Sequence, residues 1–373
     1  MSSQEELAML SDAGRIPQEQ KIENAAAQIY AIQAGLELGK KRGRRLIFTK
    51  SAMSVLAAAV MIAGLLFFNP TQLLPQQGTS SVDTFDWGVL EPFKTLAAAD
   101  IDALTLESAI RNDYVQIVNK SAESNGYKIT LNAVLADENK IMLLYTGTTS
   151  DGQEVYSVNS VKLTEAETGR DVMEENGNRG GMGAHAEGTI YTWLGKTVFS
   201  LDRNKPRPTD VVADFQIASV DPGMLSKPKT GTVLSDMRYS DRLKVNFSID
   251  PKFWEQKTET LVVDHPFIID GQEVKLAEVE LSPLSIALKF TINEELKTDW
   301  IVRNELFQKL PYELTAQVGK HDIKINTNSG SGSDDGFISY FSSNVLDHPK
   351  SLRLKLNAGA DREKEEYIDI LKK

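Results

Sequence analysis

The 373-residue chain has no cysteine and only four histidines. The first absence excludes disulfides, thiolate metal sites and cysteine nucleophiles. The second leaves His185, His265, His321 and His348 in no HExxH-like spacing, so neither a metal nor a cofactor is expected. A GxSxG nucleophile elbow is also missing, and the run Gly180-Gly-Met-Gly-Ala-His lacks the strand-then-helix context of a phosphate loop. Acidic residues are abundant, 52 against 41 Lys and Arg, yet their spacing nominates no catalytic pair. No enzymatic activity is expected. The surplus of negative charge leaves no electrostatic footprint for nucleic acid. The oxygen-rich stretch Asn328-Ser-Gly-Ser-Gly-Ser-Asp-Asp-Gly lacks the alternating carboxylates and distal Glu of a calcium loop.

Long apolar runs are scarce, with one exception. Residues 52–68 (AMSVLAAAVMIAGLLFF) hold seventeen positions without a charge, directly behind Lys40, Lys41, Arg42, Arg44, Arg45 and Lys50. With Lys50 snorkelling to the headgroups the run begins at Leu46, and a hydrocarbon core needs about 20 residues. A cleaved signal peptide would not carry some fifty residues ahead of its apolar run. The cations flank one end only, which orients the chain: 1–50 cytoplasmic, 51–68 a transmembrane helix, the remainder extracellular. The expected location is therefore the cell membrane, single-pass. The inner segment carries eight Lys and Arg against six Asp and Glu, while the rest carries 33 against 46.

The inner segment is too short for a globular domain, but Ile22, Ala25, Ile29, Ile32 and Leu36 recur at spacings of three and four. They form one apolar face of a helix. A helix of this length is marginal alone in water, so the stripe is expected to bind a cytoplasmic protein or to lie on the inner leaflet.

Outside the membrane, residues 69–95 read as a linker. Its first part, 69–81 (NPTQLLPQQGTSS), is uncharged and turn-rich, which marks it as a tether and a place for a proteolytic cut. A first extracytoplasmic β module spans 96–225 and opens with one or two short helices. From Tyr127 the hydrophobic period is two, giving strands over 127–135, 140–146, 155–163, 189–200 and 210–220, with a hairpin at 150–154 and a loop over 176–188. A second β module spans 226–360, where seven short strands, near 242–250, 260–269, 273–282, 284–293, 312–318, 322–326 and 351–357, suggest a β-sandwich. Residues 361–373 read as a short charged helix or a frayed tail. The expected fold is mainly β: two tandem β-sandwich modules behind one transmembrane helix and a short cytoplasmic helical segment. Asp151-Gly-Gln-Glu-Val recurs as Asp270-Gly-Gln-Glu-Val, which suggests that the modules are related.

Certain runs in this order carry a family likeness: Ile32-Gln-Ala-Gly-Leu-Glu-Leu-Gly-Lys-Lys, Ala109-Ile-Arg-Asn-Asp-Tyr-Val-Gln-Ile-Val-Asn-Lys-Ser, Ile129-Thr-Leu-Asn-Ala-Val-Leu-Ala-Asp-Glu-Asn-Lys and Phe247-Ser-Ile-Asp-Pro. The chain resembles a Firmicute family of single-pass membrane proteins, domain-of-unknown-function family 4179, regarded as anti-sigma-factor-like. The resemblance implies an immunoglobulin-like fold for the second module, 226–360, and implies that residues 1–50 sequester a sigma factor while the ectodomain senses an envelope ligand or protein. Unlike anti-sigma domains with a zinc-binding His/Cys motif, the inner segment has neither residue, so sigma-factor contact would fall to the stripe from Ile22 to Leu36. The alternative is a constitutive envelope-anchored binding or structural protein with no regulatory role.

Overall fold

A computed structural model describes residues 85–98, 100, 102–150, 152–173, 179–225, 237–269, 271–292, 306–307, 312–333, 335–357 and 365–372. The apolar run 51–68, the stripe from Ile22 to Leu36 and the tether 69–81 lie outside the described residues. Among those described, no helix is long and apolar enough to cross a membrane.

The chain is mainly β. Alternating apolar residues build β1 (Gln116–Ser124), β2 (Tyr127–Ala136), β3 (Lys140–Thr149), β4 (Glu154–Glu165), β5 (Arg179–His185), β6 (Thr192–Ser200), β7 (Asp210–Val220), β8 (Arg238–Tyr239) and β9 (Leu243–Ser248). One sheet runs β1-β2-β3-β6-β5; the second runs β4-β7-β8, with β9 also paired to β7. Ile129, Leu131, Tyr145, Phe215 and Val245 belong to one buried core. β3 is buried along most of its length, Met142 and Leu144 as fully as Ile141 and Leu143. Two short helices, α1 (Lys94–Ala98) and α2 (Ala103–Arg111), preceded by a 3-10 turn at Gly88–Phe93, contribute Leu90, Phe93, Leu96 and Leu106 to the same core. A strand covered on both faces reads as a continuous apolar run, as Ile141-Met-Leu-Leu-Tyr does.

The second half contains β10 (Glu259–Ile269), β11 (Gln272–Leu281), β12 (Ile286–Ile292), β13 (Tyr312–Val318), β14 (His321–Ile325), β15 (Thr327–Ser333), β16 (Gly336–Phe341), β17 (Ser351–Asn357) and β18 (Glu365–Lys372). Its sheets run β10-β11-β12-β16-β15 and β14-β13-β17-β18. Phe267, Leu276, Phe290, Phe337 and Leu354 lie in its core.

The two halves share one topology. β1-β2-β3-β6-β5 maps onto β10-β11-β12-β16-β15, and β4-β7-β9 maps onto β13-β17-β18, with β14 added at an edge. The registers coincide at a constant offset of 145 residues from the first strand pair into the third strand. Ile117 pairs Ala133 before a bulge and Lys120 pairs Leu131 after it, as Val262 pairs Glu278 and His265 pairs Leu276. Both bulges hold a left-handed non-glycine residue, Asn119 and Asp264. The second bulges match as well: Leu131↔Tyr145 then Ala133↔Leu144, against Leu276↔Phe290 then Glu278↔Lys289. Each first hairpin turns through a glycine with positive φ, Gly126 (78°) and Gly271 (77°), as a two-residue loop requires. The fold is thus an internal duplication, although residues 116–149 and 261–294 are identical at only seven of 34 positions.

Several segments differ from the sequence reading, each for a pairing reason. Residues 179–185, expected in a loop, form β5 because β6 offers its free edge. Residues 365–372, expected as helix or frayed tail, form β18 along β17. Most of the oxygen-rich stretch, from Asn328 to Ser333, lies in β15 (Thr327–Ser333). The expected hairpin at 150–154 instead carries the chain from the sheet of β3 to that of β4. β9, placed by sequence in the second module, pairs β7 over Asp210 to Phe215, so the first sandwich extends to Ser248. Trp87, Leu90 and Phe93, ahead of the expected boundary at residue 95, are buried.

Candidate functional site

Among the described residues no group of three His, Asp or Glu is placed to hold a metal ion. His185 bonds the Val155 carbonyl and His265 pairs with Glu366. Two other arrangements stand out, a charged clasp between the sandwiches and a groove at the edge of the first.

The clasp begins where α2 begins. Asp102 leaves the backbone of its own helix uncapped and directs its carboxylate sideways. It accepts hydrogen bonds from Thr105 Oγ1 (2.6 Å) and from Asn328 Nδ2 (2.9 Å) of β15, and faces Lys140 Nζ (3.7 Å) and Lys196 Nζ (3.6 Å) of the first sandwich. Asp100 forms a further ion pair with Lys196. Burial raises the Asp102 pKa, but Lys140 and Lys196, helped by Thr105 and Asn328, more than reverse this and hold it below the usual carboxylate value. Thr105 Oγ1 in turn accepts from the Ser343 amide (2.8 Å), so α2 is bonded to both sandwiches.

Asp137, at the β2–β3 corner, makes the second bond between them. Oδ1 accepts from the Asn139 and Lys140 amides of its own corner (2.8 and 3.0 Å), and Oδ2 from Ser282 Oγ (2.7 Å) and the Leu284 amide (3.0 Å) across the junction. Ser282 is the residue that the offset of 145 makes equivalent to Asp137, and its Oγ accepts from the Ser285 amide as Asp137 accepts from Lys140. Two copies of one corner therefore meet. Nearby, Arg203 grips Glu280 with two nitrogens (3.1 and 2.5 Å) and Lys289 reaches the same carboxylate. Burial raises the Glu280 pKa, and these two cations more than offset it, leaving it lowered. Glu138 accepts from the Thr258 amide (2.9 Å) and Lys257 (3.0 Å), which ties the first sandwich to the strand entering the second.

The groove lies between the edge strands β4 and β5, with a volume of about 280 Å³. Its floor is the inner face of the β3-β6-β5 sheet, where glycines let rings lie flat against the backbone. A Cβ on Gly195 would overlap the Tyr145 ring, and one on Gly183 would overlap the Trp193 indole. Tyr145 shares a hydrogen bond with Thr197 (3.0 Å), and burial pushes its phenol pKa up. Arg179 stands at the mouth and donates only to the Val161 carbonyl (2.9 Å), leaving its other donors free among the described residues. Gly181 opens onto the groove, and a Cβ there would make only ordinary contacts, 3.4 Å from the Lys196 carbonyl and 3.5 Å from Thr197 Oγ1.

The stripe Ile22, Ala25, Ile29, Ile32 and Leu36 lies outside the described residues. Sequence reasoning missed both the clasp and the groove. A signal for the groove lies in the glycines 180, 181 and 183, of which Gly183 pairs with Gly195 and leaves room for the Trp193 indole, a run that reads as a loop only when the strand is overlooked.

The family described as Domain of unknown function (DUF4179) matches residues 90–148. That stretch runs from the 3-10 turn through most of β3 and includes Asp100, Asp102, Thr105, Asp137 and Lys140, the first-sandwich side of the clasp. The match agrees with the family resemblance of the sequence over that stretch. No curated protein matches the chain. Among solved structures, the conserved domain protein from Bacillus anthracis is similar at 14% identity and a TM-score of 0.42, over 69% of this chain and 86% of that one.

Proposed function

We propose that the chain is a single-pass membrane regulator of the anti-sigma type. In this reading residues 1–50 sequester a sigma factor through Ile22, Ala25, Ile29, Ile32 and Leu36, residues 51–68 anchor the chain, and the paired sandwiches receive an envelope signal. The observation that supports it is the clasp. Among the described residues the helices at 94–111 are the first regular α-structure of the chain, and α2 is bonded to both sandwiches at Asp102 and Thr105. A load on either sandwich thereby reaches the chain that leads back to the membrane. A single apolar span has no second conformation of its own, so the signal must cross by a change in association or by a cut, for which 69–81 is the suited segment.

Binding through the stripe would rest on buried apolar area. Losing two isoleucines should remove roughly 3–6 kcal/mol. Ile29→Glu with Ile32→Glu is expected to abolish co-purification with the sigma factor, and unchanged co-purification would remove the docking assignment. Deleting residues 1–36 separates this reading from the constitutive envelope protein: the regulator releases a sigma-dependent gene set, whereas the constitutive protein leaves transcription unaltered.

A further inference from the structure

The duplication shows what its second copy does with the place that is an open groove in the first. By strand pairing, Tyr145, Gly195, Thr197 and Gly181 are the counterparts of Phe290, Phe337, Ser339 and Gly330. In the second sandwich that place is filled from within the chain. Phe307 lies over Gly330 so closely that a Cβ there would overlap its ring, and it packs edge-on to Phe337 at 5.5 Å between centroids. Phe337 stacks on Phe290, and Leu306 beside the plug is buried. The plug arrives on the connection between β12 and β13, residues 293–311. The corresponding connection between β3 and β4 is only residues 150–153, too short to return a ring to Gly181. The first sandwich therefore keeps the aromatic-lined seat, and none of its described residues fills it as Phe307 fills the other.

From this we infer that the groove between β4 and β5 is a docking site for a segment of another protein that presents an aromatic side chain, seated over Gly181 as Phe307 is seated over Gly330. Tyr145 and Trp193 supply the aromatic walls. The donors of Arg179 that are free among the described residues suit a main-chain carbonyl or a carboxylate flanking the ring.

The chain's own plug is the natural probe. A fluorescein-labelled peptide of residues 302–310 (VRNELFQKL) is titrated with the full-length protein in detergent and followed by anisotropy. Saturable binding is expected, with at least a tenfold loss when the phenylalanine of the peptide is replaced by alanine. Gly181→Leu, at a position with ordinary clearance and no positive φ, fills the seat and should abolish binding while leaving the melting temperature unchanged. Arg179→Ala, which removes one exposed side chain, is the second variant and should weaken binding several-fold. No saturable signal at millimolar peptide, equal binding of the alanine peptide, or undiminished binding in both variants would overturn the inference. A concentration-dependent dimer that Gly181→Leu dissolves would give the groove to a second copy, and would equally overturn assignment to another protein.

Discussion

Asp102→Ala is expected to be among the most damaging single substitutions in the ectodomain, lowering stability by about 3–5 kcal/mol, because removing one partner leaves buried charge uncompensated. Lys196 is 5% exposed and would keep only Asp100; Lys140 would lose its partner, and Asn328 and Thr105 would lose an acceptor. For a folded unit of this size such a loss corresponds to a fall in melting temperature on the order of 10 °C. The pH dependence has a definite sign. A carboxylate whose folded pKa lies below its unfolded value contributes stability that is fully present above the unfolded pKa, about 3.9 for Asp, and is lost as pH falls through the folded value. The Asp102 pKa is lowered, so the wild type should lose this contribution in acid, below about pH 4. Asp102→Ala should show a flatter melting profile over that range. Thermal melts of the full-length protein in detergent between pH 3 and 7 measure both effects, and a variant as stable as wild type at pH 7 would mean that the clasp contributes nothing.

Much of the β architecture was legible because strand period and turn chemistry are local. Tyr127 to Leu135 alternates, Ala136-Asp-Glu-Asn turns, and the strands fall where those residues place them. Pairing is not local, and there the reading failed. Residues 179–185 carry three glycines in seven positions and look like a loop by propensity, yet an open edge on β6 makes them a strand. The charged end from Glu365 looks helical or frayed, but β17 pairs it. The duplication was concealed in the same way. The repeated Asp-Gly-Gln-Glu-Val lies at an offset of 119 residues, whereas the true repeat lies at 145. The first pentapeptide crosses between sheets and the second turns a hairpin, so they share only the local need for glycine at positive φ, Gly152 and Gly271. What the two copies share is the bulge register and the buried positions, Ile129 with Val274, Leu131 with Leu276, Tyr145 with Phe290, and many interchangeable apolar residues satisfy those. The clasp was illegible for a related reason: a buried Asp102 and a solvated one have the same one-residue signature.

The second large effect concerns cooperativity. Asp137 is fully buried and is the acceptor for four donors, two in each sandwich. Asp137→Ala would strand the Leu284 amide on one side and the Asn139 and Lys140 amides on the other, while the Ser282 hydroxyl keeps the Ser285 carbonyl (2.9 Å) as an acceptor. Buried donors left without an acceptor cost about 1–3 kcal/mol each, and more where the lost partner is charged, so a loss of roughly 3–5 kcal/mol is a restrained expectation. The location matters more than the size. Because the bonds cross the junction, the variant should weaken the coupling between the sandwiches as well as each corner. Wild-type protein is expected to melt in one calorimetric transition, since α2, Asp137 and the Arg203–Glu280 pair fasten each sandwich to the other. In Asp137→Ala that transition should separate into two, the first sandwich and the second unfolding at different temperatures. A conserved single peak, merely shifted down, would show that Asp137 stabilises its own corner without joining the two copies. Asp137→Asn discriminates further. It keeps one acceptor oxygen but turns an amide toward either the Asn139 and Lys140 amides or the Leu284 amide, so it should fall between wild type and alanine in stability. If Asn splits the peak as Ala does, the cross-junction bonds from Ser282 and Leu284 are the ones that hold the two sandwiches as a single unit.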